Sequence, residues 1–389
     1  MDFISSVSWE LIALCLWSLG KTIFLIFLVV LPMVSYTVYA ERRVSALIQD
    51  RLGPNRTGMP LTLFGAKKDW QPFSLGGLGQ PIADAVKFLL KEDFVPAHVN
   101  TIYFWMAPCL AMMPALVTLA AIPFGSVFLG NKMVVADINV GLLFMFAISS
   151  IGVFGIVMAG WSSNSKYPFL GSIRSTSQMI SYELSMGLSA VPVLLICGST
   201  SLSHIVDYQG QHGWLIAPFM GAIPGWREIL LWIPVLISFI TFSISMFAET
   251  NRLPFDLPES EQELVAGYHT EYSSMKFALF FLGEYTAMIA GSALIIVLFF
   301  GGWHLPGMPD GGGQGGLDFL HFVPAWIWGL VNIGVFFAKV GILLFIFIWV
   351  RWTLPRFRYD QLMKLGWLYL FEIALVNIFL TAGILAFTK

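Results

Sequence analysis

Charged residues are scarce in this chain. Asp, Glu, Lys and Arg make up only 11% of the 389 residues, whereas 57% are hydrophobic. Too few polar side chains remain to cover the surface of a soluble domain of this length. The net charge of −2 also lacks the basic excess that nucleic-acid binding requires. The composition therefore predicts a protein that crosses a membrane several times.

Cysteine and histidine are also few. The three cysteines, Cys15, Cys109 and Cys197, lie singly in apolar runs, which excludes a disulfide framework and the spacing of an iron–sulfur site. The six histidines fall in loops or at the ends of apolar runs, so no pair could ligate a haem within a membrane. No Walker loop, nucleophile elbow or dinucleotide-binding glycine motif occurs. We therefore predict no metal and no redox centre bound by this chain.

Eight apolar runs approach the ~20 residues that span a bilayer as a helix. They cover approximately residues 21–40, 102–124, 138–159, 178–197, 230–248, 277–300, 325–350 and 366–387. We predict an all-α polytopic membrane protein whose eight transmembrane helices form a single membrane domain over residues 1–389.

Two of the predicted loops have features of their own. In the inner loop 41–100, residues 44–52 and 83–90 alternate apolar and charged positions at helical spacing, which predicts two amphipathic surface helices. The glycine-rich outer loop 301–316 is predicted to be a flexible linker.

Lys and Arg are distributed unevenly between the two sets of loops. The loops on one side of the predicted spans hold sixteen of them: Arg42, Arg43, Arg51, Arg56, Lys67, Lys68, Lys87, Lys91, Lys166, Arg174, Arg252, Lys276, Arg351, Arg356, Arg358 and Lys364. The loops and chain end on the other side hold only Lys21, Lys132, Arg227 and Lys389. The positive-inside rule predicts that the basic loops face the cytoplasm and that both termini lie outside.

The acidic inner loop 249–276 concentrates carboxylates between two predicted spans. Its acidic residues are Glu249, Asp256, Glu259, Glu261, Glu263 and Glu271. Carboxylates crowded in a partly desolvated place influence one another's ionisation and can exchange protons near neutral pH. A solvated acidic loop is the alternative, but the Leu, Pro, Phe, Val and Tyr residues interspersed here favour a functional role.

Ionisable residues inside the predicted spans point to a pathway or to buried pairs, because such charges cost about 2.5–3.5 kcal/mol each at the bilayer centre on insertion scales. They are Glu183, Glu284, Glu372 and Lys339. An ion pair between Lys339 and one glutamate competes evenly with a proton relay. For Glu183 and Glu284 we favour a relay, since both lie toward the face that carries the acidic loop.

Several long motifs allow a family to be named. They are ERR at 41–43, QDRLGPNR at 49–56, QPIADAVK at 80–87, GWSSNSKYPFLGSIR from Gly160, QMISYE ending at Glu183, AETNRLPFDLPESEQELVAGYHTEYSSMKFALFF from Ala248, and RWTLPRFRYDQLMKLGW from Arg351. Together they resemble the NuoH-type subunit of respiratory complex I over nearly all of residues 36–370.

The resemblance implies a subunit of the proton-translocating NADH:quinone oxidoreductase in a bacterial inner (plasma) membrane. Such a subunit forms the membrane side of the quinone chamber, which a quinone enters laterally from the lipid. Electrons reach the quinone from an iron–sulfur cluster of a neighbour, and partner subunits bind NADH, FMN and the iron–sulfur clusters. The implied partners are hydrophilic iron–sulfur subunits of the quinone module, small membrane subunits and antiporter-like subunits.

The resemblance also assigns site residues. The acidic path that couples quinone reduction to proton translocation falls on Glu41, Glu183, Glu249, Asp256, Glu259, Glu261, Glu263, Glu271 and Glu284. The quinone chamber falls on Arg42, Arg43, Arg51 and Arg252, although ordinary anchoring at the inner face competes as an explanation, most of all for Arg43.

Two other functions stay open at this stage. The equivalent subunit of a membrane hydrogenase, or of another donor dehydrogenase, would share these motifs, because other chains select the electron donor. A stand-alone ion-coupled transporter would also carry intramembrane Glu and Lys. The absence of an internal repeat and the long inner loops, which suit docking of a hydrophilic partner, disfavour the transporter.

Overall fold

The fold is a bundle of long helices. The computed structural model describes residues 9–55, 76–128, 131–218, 226–256, 267–305 and 325–388. The helices are α1 (Trp9–Ile23), α2 (Leu31–Ile48), α3 (Gln80–Leu90), α4 (Thr101–Thr118), α5 (Gly141–Ser162), α6 (Lys166–Cys197), α7 (Leu202–His212), α8 (Trp226–Glu249), α9 (Ser274–Phe299), α10 (Ala325–Thr353), α11 (Tyr359–Lys364) and α12 (Phe371–Phe387). Strands β1 (Gly125–Phe128) and β2 (Asn131–Met133) pair antiparallel.

Eight helices in the described residues are long and apolar enough to cross a membrane, which confirms the predicted architecture. π-Helical segments join α1 to α2 and α11 to α12, so each of these pairs forms one continuous span. The fourth span, α6, begins at Lys166, well before the apolar run at 178–197. Its polar first half stays helical because Ser172, Ser175 and Gln178 are buried against neighbouring helices.

One of the two predicted helices is present as a separate helix. Helix α3 contains the predicted segment 83–90, has no buried residue and packs against α2 and α9. The prediction for residues 44–52 was wrong in part, because α2 runs without a break to Ile48. Ser45 and Ala46 are buried, so this segment extends the first span instead of forming a separate helix.

Helix α9 is the centre of the bundle and the most buried of the eight spans. It packs against α4, α8 and α10, and its apolar residues join the main core. We call the end of the bundle where α8 stops and α9 starts the near end. The end where α9 stops at Phe299 is the far end.

The turn after α9 corrects the prediction of a flexible linker for the first residues of that loop. Within the described part of that loop, 301–305, residues 301–304 are buried. Gly301 and Gly302 have φ angles of +69° and +55°, and a Cβ on either would lie 2.6–2.8 Å from Trp214 or Val206. Only glycine combines that conformation with that close approach. Residues 306–316 lie outside the described residues.

Close packing of α4 against α5 provides a test of the fold. A Cβ on Gly155 would lie 2.6 Å from the backbone N of Ala111, whereas a Cβ on Gly152 would meet nothing within 4 Å. We therefore expect Gly155→Ala to destabilise the protein by about 1–3 kcal/mol, because α4 must move away. Gly152→Ala is the matched control and should not lower stability. Thermal unfolding in detergent measures both, and equal midpoints for the two variants would contradict this packing.

Candidate functional site

A buried ionic cluster joins α2, α9, α10 and the segment after α8. The guanidinium of Arg252 lies between two carboxylates, with Nη1 3.3 Å from Oε2 of Glu41 and Nε 2.5 Å from Oε1 of Glu284. Arg351 contacts the other oxygen of Glu41, Nη1 to Oε1, at 2.5 Å. Tyr285 donates its hydroxyl to Glu41 at 2.7 Å, and its ring lies 4.1 Å from the guanidinium carbon of Arg252.

The charges in this cluster balance, since two guanidinium groups face two carboxylates. Burial alone would lower the pKa of Arg252, but the carboxylates of Glu284 and Glu41 raise it well above the ordinary value. Arg252 is only 4% exposed and therefore stays charged because of its partners. Removing one member of a buried pair leaves the other charge uncompensated, which is costly.

Two buried amide side chains hold the segment that carries Arg252. Nε2 of Gln178, on α6, donates to the carbonyl oxygens of Ala248 and Phe255 at 2.8 and 2.9 Å and to Oδ1 of Asn251 at 3.1 Å. Nδ2 of Asn251 donates to Oγ of Ser175 at 3.1 Å. Helix α6 therefore fixes both the last turn of α8 and the chain that follows it.

Glu183 and Glu249 form a second acidic group with different surroundings. Ser150 donates its hydroxyl to Glu183, while Glu249 lies beside Ser149 and close enough to Glu183 for their charges to interact. Oε2 of Glu249 is buried and has no hydrogen-bond partner among the described residues. Within that same part of the chain, no Lys, Arg or His forms an ion pair with either carboxylate, so no cation there compensates these two acids. We call them the uncompensated pair.

A cavity of about 120 Å³ lies beside the uncompensated pair, between α4, α5, α6, α8 and α9. Its polar lining includes Glu249, Glu284, Ser149 and Asn251, and most of the remaining lining is apolar. This volume has room for several water molecules, and the carboxylate and hydroxyl groups supply hydrogen-bond partners for them. Because Glu284 also contacts Arg252, the cavity touches the balanced cluster at one end.

The other predicted acids occupy separate places. Oδ2 of Asp256 lies 3.5 Å from Nη2 of Arg356 near the cluster. Glu271 is half-buried, next to Tyr272, and does not line the cavity. Glu259, Glu261 and Glu263 lie outside the described residues. The structure thus brings together Glu41, Glu183, Glu249 and Glu284 around the cluster and the cavity.

Only one of the four predicted chamber arginines, Arg252, belongs to the cluster. Arg42 pairs with Asp84 of α3 at 2.9 Å and is half-exposed. Arg43 donates to the carbonyl of Gly76 at 2.8 Å. Arg51 is exposed. Arg42 and Arg43 therefore tie α2 to α3 and to the turn that precedes it.

Sequence reasoning missed several members of the site. Ser149, Ser150, Tyr285 and Gln178 received no role, and Arg351 was interpreted only as an inner-face charge. Adjacent serines in an apolar span are a weak signal, and nothing in the sequence shows that they face acids on two other helices. The QMISYE motif contains Gln178, but its three acceptors lie about 70 residues or more away along the chain.

Lys339 also differs from its predicted surroundings. Its ammonium pairs with no glutamate in the described part of the chain and donates instead to three backbone carbonyls. The described residues contain no group of three or more His, Cys, Asp or Glu side chains that could hold a metal ion.

Together, these features define a predominantly helical membrane protein with an acidic interior and, in its described residues, eight helices able to span a membrane. Comparison with known proteins then identifies the family. Residues 21–382 match the family model described as NADH dehydrogenase. The chain is 47% identical to an H subunit, numbered 2, of the NADH-quinone oxidoreductase of Geobacter sulfurreducens, covering 95% of this chain and 96% of that protein.

Other relatives agree. Identity is 48% to the H subunit of the NADH-quinone oxidoreductase of Rickettsia prowazekii, over 91% of this chain and 90% of that protein. It is 46% to the corresponding protein of Salinibacter ruber, over 94% of this chain and 95% of that protein. The chain therefore belongs to the NADH dehydrogenase family, as a subunit of an oxidoreductase complex. The resemblance identified from the sequence motifs is confirmed.

The cluster predicts a large difference between two arginines. We expect Arg252→Met to destabilise the protein by about 3–5 kcal/mol, because Glu41 and Glu284 lose a buried partner. Arg42→Met is the matched control and should cost no more than about 1 kcal/mol, since the Arg42–Asp84 pair is solvent-accessible. Chemical denaturation, or the yield of assembled protein, measures the difference. Equal losses would show that the Arg252 pairs contribute no more than a surface contact.

His269 predicts a pH dependence of stability. Its ring packs against Tyr268, Phe277 and Phe281, and burial lowers its pKa from 6.5 to about 4. Between these values the unfolded chain binds more protons, so stability falls as pH drops below about 6.5. We expect a loss of about 2 kcal/mol by pH 5. His269→Phe should remove this component of the midpoint-versus-pH curve, and superimposable curves for variant and wild type would refute it.

Proposed function

We propose that this chain forms the membrane side of the quinone-binding chamber of a proton-translocating NADH:quinone oxidoreductase, and that its buried acids couple quinone reduction to proton translocation. One observation carries the proposal. Glu183 and Glu249 are the uncompensated pair beside a cavity, and that cavity reaches the balanced Arg252 cluster through Glu284.

The uncompensated pair is suited to hold a proton. Two interacting carboxylates without a cation titrate as one coupled unit, so a change in nearby charge alters how many protons they bind together. The hydroxyls of Ser149 and Ser150 can donate or accept as the carboxylates change state. This behaviour is what a relay needs, and a rigid ion pair does not provide it.

The balanced cluster is suited to transmit a charge change. Arg252 is shared between Glu41, at the end of α2, and Glu284, in the cavity wall. Reduction of a quinone takes up two electrons and two protons, which changes the charge near the chamber. A shift of Arg252 toward either carboxylate would alter the compensation of the other. Moving one charge against 100 mV costs about 2.3 kcal/mol, so the redox step must bias such a path.

The chamber itself is proposed at the near end, between α2 and α3. Arg42 and Arg43 hold this arrangement, and Arg51 lies exposed beside it. Helix α3 exposes three large apolar side chains, which offer a surface for an isoprenoid tail: Ile82, Leu89 and Leu90. The acids of the loop 249–276 would complete the acidic path on this side.

The proposed orientation in the membrane follows from the distribution of charged residues, and the proposed partner subunits follow from the family. The positive-inside rule predicts that the near end lies in the cytoplasm and that both termini lie outside. The bacterial relatives favour an inner membrane as the location. Hydrophilic iron–sulfur subunits would dock at the near end and deliver electrons that originate from NADH and FMN. Small membrane subunits and antiporter-like subunits would contact the lipid-facing helices, several of which expose large apolar side chains.

Glu249→Gln tests this function directly. The change removes the proton-binding carboxyl group at nearly constant volume, so the complex should assemble while protons pumped per NADH fall by half or more. The matched control is Glu372→Gln, on the exposed face of α12, which should leave pumping unchanged. Assembled complex reconstituted in liposomes is assayed for NADH:quinone activity and for acidification. A fully coupled Glu249→Gln complex would refute the proposed path.

A further inference from the structure

Lys339 occupies a cradle of backbone carbonyls at the far end of α9. Its ammonium donates to the carbonyl oxygens of Phe300, Gly302 and His304 at 2.8, 2.8 and 2.6 Å. The ring of Trp214 lies 4.4 Å from Nζ and covers the ammonium from another side. Trp214 also donates its indole N–H to the carbonyl of His304 at 3.1 Å.

The protein builds this cradle with dedicated residues. Gly301 and Gly302, both in the left-handed region, turn the chain so that three carbonyls converge. Gln209 satisfies the neighbouring groups: its Nε2 donates to Val297 at 2.8 Å and to Leu298 at 3.2 Å, and its Oε1 accepts from the N–H of Gly301. The last carbonyls of a helix otherwise lack partners. The end of α9 is thus capped by two side chains from other helices.

The geometry favours a charged amine. Three carbonyl acceptors need three N–H donors, which an ammonium supplies and a neutral amine does not. The carboxyl-terminal end of a helix also carries a partial negative charge that favours a cation. Because Lys339 pairs with no carboxylate in the described part of the chain, no acidic side chain there cancels its positive charge.

The position of this charge relative to the cavity gives it a second consequence. Along α9, the cavity lining extends from Phe280 to Leu294, and the cradle begins at Phe300. A step of six residues along the chain leads from Leu294 to Phe300, which corresponds to about 9 Å of helical rise. A fixed cation at this point lies at the far end, beyond the last residue of α9 that lines the acidic cavity. Fixed positive charges of this kind exclude protons and cations from pores.

We propose that the carbonyl cradle at the end of α9 is a binding site for a primary ammonium, filled by the chain's own Lys339, and that this tethered cation blocks proton passage from the acidic cavity to the far end. The blocking role rests on the proposed function, because it matters only if protons enter the cavity. Lys339 is thus a positioning and insulating residue and takes no part in proton exchange.

The test uses the whole complex in liposomes and measures two quantities: the decay of an imposed pH gradient without NADH, and protons pumped per NADH. Lys339→Gln keeps N–H donors and loses the charge, whereas Lys339→Arg keeps both. We expect about tenfold faster decay for Lys339→Gln, the effect of one charge acting over ~10 Å at an effective dielectric constant of about 20. The Lys339→Arg complex should hold the pH gradient and pump as many protons per NADH as the wild type.

Lys21→Gln is the matched control. Lys21 also donates to backbone carbonyls, those of Val134 and Lys132, but it lies outside the cavity and the cradle. Its variant should hold the gradient as the wild type does. Adding Glu249→Gln to Lys339→Gln should slow the decay again, because the leak passes through the cavity.

Each outcome decides. A Lys339→Gln complex that holds the pH gradient as long as the wild type would show that N–H donors block the leak without a charge. That result would overturn the proposal. A Lys339→Arg complex that assembles but no longer pumps would indicate that Lys339 itself exchanges protons. That result would also overturn the proposal. A leak that persists in the double variant would place the path elsewhere. If only Lys339→Arg assembles, the cradle requires a cation, as proposed. Full coupling in Glu249→Gln alone would refute the acidic path while the ammonium site is still judged by assembly.

Discussion

The ion pairs of Arg252 are the interaction on which the near end of the molecule depends. One guanidinium, only 4% exposed, joins Glu41 of α2 to Glu284 of α9, and Arg351 of α10 completes the charge balance. The ion pairs stabilise the fold only when all four charges are present, because a buried charge that loses its partner costs more free energy than the pair contributes. The surrounding structure reflects that requirement. Gln178 and Asn251 fix the chain on which Arg252 lies, and Tyr285 donates to the oxygen of Glu41 that also faces Arg252. The cluster therefore holds α2, α9, α10 and the segment after α8 in one fixed arrangement, although they are far apart in sequence.

The acids of the interior fall into two kinds, and the difference is one of compensation. Glu41 and Glu284 have arginine partners, whereas Glu183 and Glu249 have serine hydroxyls and each other. A compensated acid keeps its charge and fixes structure. An uncompensated acid responds to the potential around it, because small changes in local charge decide its protonation. The cavity brings both kinds into contact through Glu284. Under the proposed function, a signal in one group would become a proton movement in the other without any large motion of the helices.

Much of this architecture could be predicted from the sequence, because length and apolarity alone identify a span. The eight helices and the family followed from such local information. The predictions that failed concerned segments whose structure depends on contacts with residues distant in the sequence. The first half of α6 looked too polar to be helical membrane structure, since Ser172, Ser175 and Gln178 contact protein and not lipid. The turn at Gly301 and Gly302 looked like a linker, because glycine is typical of both flexible chain and tight, buried turns. The sequence predicted that Glu183 and Glu284 lie toward the face of the acidic loop, which begins at Glu249, but it could not show that Arg252 pairs with only one of these three acids. Pairings such as Glu41 with Arg351 span 310 positions and leave no local pattern.

The same long separation bears on how the chain is made. Arg252 and Arg351 are 99 residues apart, and a ribosome adds about 5–20 residues per second, so roughly 5 to 20 s pass before the second arginine can reach Glu41. During that interval α2 and α9 enter the bilayer with an incomplete set of charges, and each unmatched charge disfavours insertion by a few kcal/mol. Helix α9 is the most buried span of the finished bundle and therefore has the most to lose from facing lipid alone. Biogenesis of this protein thus favours an insertion machinery that shelters several helices together and releases them only after α10 has emerged.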